Sequence, residues 1–279
     1  MKFGVTIFPT DYAMNIVDLG RALEERGFES LFIPEHTHIP TSRESPWPGG
    51  PELPEEYRHT LDPFVALGAV AAATTTLKLG TGICLVTEHD PITLAKEIAS
   101  VDFLSGGRFL FGIGAGWNFE EMRNHGTDPE HRWGVVRERI RAMQRIWTQD
   151  EAEFHGKHVD FDPIWSWPKP VQKPYPPILI GGNSPGTFKR VLDYGDEWLP
   201  IMGRGAPLEE QIATLQRQAN ERGRGTIPVS VFGVRADAET IERLGAAGVT
   251  RCLFGLPPAG EDKILPLLDR FAGVMLSYA

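Results

Sequence analysis

The run Phe109-Leu110-Phe111-Gly112-Ile113-Gly114 has an apolar residue or a glycine at every position. A strand with one wet face alternates apolar and polar residues, so a run apolar on both faces belongs to a parallel sheet covered on each side. Val5-Thr6-Ile7-Phe8 reads the same way. Outward from these two, short β-rich runs recur at residues 3–8, 30–34, 77–84, 108–114, 177–181, 197–201, 227–234 and 248–255. The stretches between them have helical spacing. Trp133, Val136, Ile140, Met143 and Trp147 share one helix face, as do Leu208, Ile212, Leu215 and Ala219, and also Ile16, Leu19 and Leu23. Asp90-Pro91 and Ser184-Pro185 each place a capping side chain before a proline suited to the first helical turn. Strand followed by helix, repeated along the chain, predicts a (β/α)8 TIM barrel, with residues 1–279 as one domain. An open doubly wound sheet fits less well, because Phe8-Pro9-Thr10-Asp11 offers no glycine-rich turn after the first strand.

Two segments depart from the repeat. Residues 37–61 hold seven prolines or glycines and read as a long loop after the second strand. Residues 151–173 contain two alternating runs around Gly156 and read as an inserted hairpin. Long loops inside a compact domain commonly carry function.

Composition narrows the classes of function. The 279 residues carry 28 Lys+Arg against 37 Asp+Glu, a net charge of −9. An acidic chain is a poor partner for nucleic acid. No stretch reaches the ~18 uninterrupted apolar residues of a membrane helix, and the N-terminus lacks the apolar core of a signal peptide. Cys84 and Cys252 form no CxxC pair, so neither a disulfide framework nor a cysteine-based zinc site is expected. These features fit a cytoplasmic protein acting on a small molecule.

On a barrel the chemistry lies where strands end and βα loops begin. Those ends read Pro34-Glu35-His36, Thr81-Gly82-Ile83, Ala115-Gly116-Trp117-Asn118 and Gly181-Gly182-Asn183-Ser184. Glycines there let backbone approach a flat ligand, and amides opening a helix suit a phosphate. His36 is the candidate acid–base group, with Glu35 beside it. Asp90 is explained as a helix cap. His36-Thr37-His38 also has the form of a metal-binding pair, but no imidazole or carboxylate follows at the ends of the fifth, sixth or eighth strands. No metal is expected.

The motifs Leu31-Phe32-Ile33-Pro34-Glu35-His36 and Leu79-Gly80-Thr81-Gly82-Ile83, with Ser105-Gly106-Gly107-Arg108 running on through Gly112-Ile113-Gly114-Ala115-Gly116-Trp117, resemble the bacterial luciferase-like monooxygenase superfamily. The likeness extends through Gly181-Gly182-Asn183 and Tyr194-Gly195-Asp196, and is strongest to the F420-dependent oxidoreductase branch. It implies a TIM barrel, commonly a homodimer, that binds coenzyme F420 or, alternatively, FMN. It further implies that Thr81, Gly82 and Ile83 buttress the ring, with a cis Gly82–Ile83 bond. Ala115, Gly116, Trp117 and Asn118 would line the cofactor, Gly181, Gly182, Asn183 and Ser184 would take its phosphate, and His36 with Glu35 would be catalytic. Lys169, Lys173, Lys189 and Arg190 are candidate partners for an anionic tail. Sugar-phosphate dehydrogenases of the superfamily carry a glutamate where this chain has Trp117, which argues against that substrate. An FMN-dependent monooxygenase and a cofactor-free barrel are the alternative readings.

Overall fold

A computed structural model describes residues 1–278. Eight positions around a parallel sheet are filled in the order β10 (Ser230–Phe232), β11 (Arg251–Gly255), β1 (Lys2–Thr6), β2 (Ser30–Ile33), β3 (Lys78–Thr81), β5 (Phe109–Gly114), β8 (Ile178–Gly181) and β9 (Glu197–Leu199). Parallel bridges Trp198–Val229 and Ile201–Phe232 join the last strand to the first, so the sheet curls into a nearly closed barrel. The expected architecture holds. The predicted hairpin is β6 (Ala152–His155) against β7 (Asp160–Ile164), antiparallel and outside the barrel.

The helices confirm their stripes. In α1 (Ile16–Glu25) the residues Ile16, Leu19 and Leu23 are buried. In α5 (Arg132–Thr148) Val136, Ile140, Met143 and Trp147 are buried. In α7 (Leu208–Glu221) Leu208, Ile212, Leu215 and Ala219 are buried. The remaining helices are α2 (Pro63–Ala73), α3 (Pro91–Leu104), the short α4 (Phe119–Asn124), α6 (Thr187–Tyr194), α8 (Ala238–Ala246) and α9 (Glu261–Met275).

Strand alternation splits the core in two. Leu31, Phe109, Phe111, Ile178, Ile180 and Cys252 face the helices in one large cluster. Their neighbours Phe32, Leu110, Leu179, Leu199 and Leu253 form a second cluster that fills the barrel interior. Below it, at the amino ends of the strands, Arg251 is 3% exposed. Its guanidinium donates to both oxygens of Glu29 at 2.8 and 2.9 Å, to Glu197 at 3.0 Å and to Ser230 at 2.6 Å. The floor of the barrel is therefore polar but paired.

Two details differ from the sequence reading. The run 77–84 is not one strand: β3 stops at Thr81, the Gly82–Ile83 bond is cis, and β4 (Cys84–Leu85) resumes against β5. The four-residue step from Gly80 to Cys84 faces a three-residue step from Leu110 to Ile113, so one extra residue bulges here. Ser184 does not cap α6, which begins at Thr187 with Gly186 at its N-cap. Ser184 closes a preceding turn instead, its carbonyl accepting from Thr187 N at 2.9 Å. Asp90 does cap α3, accepting from Ile92 N and Thr93 N.

Candidate active site

The carboxyl ends of the strands surround a cavity of about 490 Å3. Its lining joins Glu35, His36, Gly82, Ile83, Ala115, Gly116, Trp117, Gly181, Gly182, Asn183 and Ser184. Eleven of the thirteen sequence-derived candidates thus converge on one mouth. Thr81 and Asn118 lie beside it. Thr81 is fully buried, with its hydroxyl donating to Gly112 O at 2.7 Å. Asn118 is 1% exposed and caps α4 by accepting from Glu121 N at 3.3 Å. Thr81 Oγ1 and Asn118 Oδ1 thus hold neighbouring peptide groups around the cavity, while Asn118 Nδ2 is buried without a partner.

The glycines form a cradle. At Gly182 nothing lies within 4 Å of where a Cβ would project, and its φ of +95° is one that side chains rarely adopt. The loop is pinned from behind, where Trp198 Nε1 donates to Gly182 O at 2.9 Å and Asn183 Oδ1 accepts from Ile201 N at 2.9 Å. Opposite the glycines the wall is aromatic. His36, Tyr57 and Trp117 stand with ring centroids 5.2 to 6.2 Å apart, and Trp47 lies 5.8 Å from Tyr57. Trp47, Pro48 and Tyr57 come from the loop 37–61, which folds over the mouth as a strap. Ser45 holds it down: its N–H donates to Glu120 Oε1 at 2.8 Å and its hydroxyl bonds Glu120 Oε2.

His36 is oriented by a residue that the sequence did not single out. Its Nδ1 stands 2.8 Å from Oε2 of Glu121, which is fully buried on α4. A carboxylate there accepts the Nδ1 proton and leaves Nε2 as the nitrogen available to a ligand. Glu35 has a different task. Its Oε2 accepts from Leu85 N at 2.5 Å and its Oε1 meets His89 Nε2 at 2.7 Å. Glu35 therefore fastens the bulge between β3 and β5 and does not touch His36. Cys84 adds a third ligand-type atom within 4.8 Å of those of Glu35 and His89, and burial pushes its thiol well up. Both Glu35 oxygens are already engaged by hydrogen bonds, which accounts for the cluster structurally.

The proposed cations divide. Lys169 donates to Ile146 O and Gln149 O, and Lys173 to Pro170 O; neither lines the cavity. Lys189 is exposed on α6. Arg190 stands at the rim, donating to Ser184 Oγ at 2.6 Å with its guanidinium 3.5 Å from the Trp133 ring centroid. Arg204, unnoticed in the sequence, lines the mouth. Nothing in its neighbourhood, Gly203-Arg204-Gly205, marks it out before folding.

A near-closed barrel with a glycine cradle, an aromatic wall and one buried-carboxylate histidine at its carboxyl mouth defines a cofactor-type site of the TIM-barrel class. Comparison with known proteins gives the class its family. Residues 1–247 match the family model described as luciferase-like monooxygenase, and the chain belongs to that family. It is 39% identical over 277 residues to an uncharacterized protein of Mycobacterium tuberculosis, covering 98% of both chains. An FMNH2-dependent dimethylsulfone monooxygenase of Pseudomonas putida is 31% identical over 175 residues, 61% of this chain and 48% of that protein. Among solved structures, monooxygenase RslO1 from Streptomyces bottropensis superposes with a TM-score of 0.80 at 19% identity over the full length of both chains. The coenzyme F420-dependent tetrahydromethanopterin reductase from Methanopyrus kandleri superposes at 0.76 and 18% identity over 99% of both. Relatives of this family use either F420 or FMN.

Proposed function

We propose that the protein is an F420-dependent oxidoreductase that passes a hydride between the deazaflavin and an uncharged, apolar or aromatic organic substrate. The observation that carries this reading is the pairing of a backbone cradle with an imidazole across one cavity. The cradle is open above Gly182, where nothing lies within 4 Å of a Cβ position, while Gly114, Gly116 and Gly181 let the strand ends pack closely on Ile83, Met122 and Leu85 beneath it, and Arg204 and Arg190 stand at the rim for an anionic tail. The cofactor supplies the two-electron chemistry when bound. His36 would hold or give the proton that accompanies the hydride at Nε2, and Glu121 would fix its ring and balance the imidazolium. Trp47, Tyr57 and Trp117 would shield the reacting atoms from water and select the substrate by shape.

FMN is the second reading, favoured by the 31% identity to the dimethylsulfone monooxygenase. F420 is preferred because the motifs of this chain resemble the F420-dependent branch most, and an F420-dependent reductase matches it end to end, as monooxygenase RslO1 also does. We also assign the protein to the cytoplasm and to a homodimer. Among the described residues no helix is long and apolar enough to cross a membrane, and Phe103 and Leu104 on α3 stay 57% and 70% exposed on the isolated chain. Fluorescence titration with F420 and with FMN tests the proposal. Saturable binding of F420, tighter than FMN, is expected, together with a His36→Asn variant that binds F420 normally and turns over poorly. Tighter binding of FMN, or of neither, refutes it.

A further inference from the structure

Behind the mouth lie three buried carboxyl groups, two of them short of donors. Glu35 has both oxygens bonded. Glu121 gives Oε2 to His36, but its Oε1 has no partner. Glu88, at the end of the short turn after β4, has a side chain 1% exposed and neither oxygen partnered. The groups facing Glu88 are Glu121 on α4, Glu35 after β2, the Cys84 thiol, and His125 at the end of α4, whose Nε2 is 3.7 Å from Glu88 Oε2. Arg139 on α5 does not serve it, donating to Val86 O instead.

We infer that Glu88, buried with neither oxygen partnered, stands as a neutral acid behind the Glu121 carboxylate, so that its protonation sets the charge in the pocket against which His36 works. Two ionised carboxylates here would leave three buried oxygens lacking donors. A single proton removes one of the two buried charges. It belongs on Glu88 because Glu121 alone has an imidazole to accept from. Burial, then the charges of Glu121 and Glu35, hold the Glu88 carboxyl up to about 9. Burial, then His38, push His125 down, so the close approach of His125 to Glu88 is one of two neutral groups and not an ion pair. Glu88 is a positioning residue: it touches neither ligand nor His36. At neutral pH the pocket behind the imidazole carries the charge of Glu121, and ionisation of Glu88 adds a second negative charge to it.

The inference rests on His36 being the acid–base group, but its test needs no cofactor. Histidine-labelled protein is followed by proton–carbon NMR from acid to alkaline pH, the His36 signals being identified by their loss in His36→Asn. Expected is a second movement of the His36 ring signals centred near pH 9, absent in Glu88→Gln, while the other histidines titrate as before. Infrared difference spectra of wild type minus Glu88→Gln should show a protonated carboxylic acid band at neutral pH, lost from the wild type as Glu88 ionises. A wild type lacking the alkaline step, or a Glu88→Gln variant that keeps it, overturns the inference. Should Glu88→Gln fail to fold, loss of the acid band from the wild type above pH 9 supports the inference and its absence at neutral pH overturns it. A protein that binds no F420 yet shows both signatures refutes the proposed function and leaves the neutral acid standing.

Discussion

Replacing Gly112 by alanine tests what holds the mouth open. A Cβ built on Gly112 would lie 2.0 Å from the backbone oxygen of Thr81 and 3.0 Å from Leu199 Cδ2. An ordinary carbon–oxygen contact is more than an ångström longer, and the Thr81 hydroxyl, donating to Gly112 O, holds the two residues together. The strands must part at the bulge. Overpacking a core side chain costs about 1–3 kcal/mol, and a clash with backbone inside a sheet should reach about 3 kcal/mol or more. For a chain of this size that lowers the melting temperature by roughly 6–12 °C. Gly68→Ala is the paired control: it lies in α2 with nothing within 4 Å of its Cβ position, and alanine there should raise stability by about 0.5–1 kcal/mol. Differential scanning calorimetry reads both. If Gly112→Ala melts within about 2 °C of wild type, comparable to the expected rise in Gly68→Ala, then close backbone approach at the bulge is not what requires glycine there.

The barrel floor and one surface carboxylate give two further expectations. Arg251→Met removes the cation from Glu29 and Glu197 and should cost about 3–5 kcal/mol in urea unfolding, with Arg251→Lys losing less; a loss under about 1 kcal/mol would mean the floor is held by packing alone. Glu24 is raised by burial, yet the N–H groups of Thr76, Leu77 and Thr75 and the Thr76 hydroxyl bring its carboxyl down to about 2. A folded pKa depressed below the unfolded value of 4.5 stabilises the protein above that value, and the benefit is lost as pH falls from 4.5 toward 2. Glu24→Gln should therefore be less stable at neutral pH, by roughly 1 kcal/mol after solvent screening, and should unfold with a shallower pH slope in that acid window. An unchanged slope would discount the loop as the cause.

The architecture was legible because parallel strands buried on both faces leave an unbroken apolar signature, as in residues 109–113, and because helices such as α5 expose their stripe in the spacing alone. Local breaks were less visible. Residues 77–84 have the composition of one strand, and the extra residue becomes apparent only when the register against β5 is laid out. Ser184-Pro185 has the chemistry of a cap, but Gly186 delays the helix and leaves Ser184 in a turn. Rim position alone identified His36 and the glycines. It could not identify Glu121, whose partner His36 lies 85 residues away, nor Glu88 or Arg204, whose surroundings come together only after the barrel forms.

The short helix α4 spends its two neighbouring acids in different directions. Glu120 grips the strap at Ser45, and Glu121 grips the imidazole of His36. One turn of backbone therefore carries the anchors of both the cover and the ring. The roof of the cavity and the aim of its imidazole are thus registered to a common footing no longer than one peptide unit.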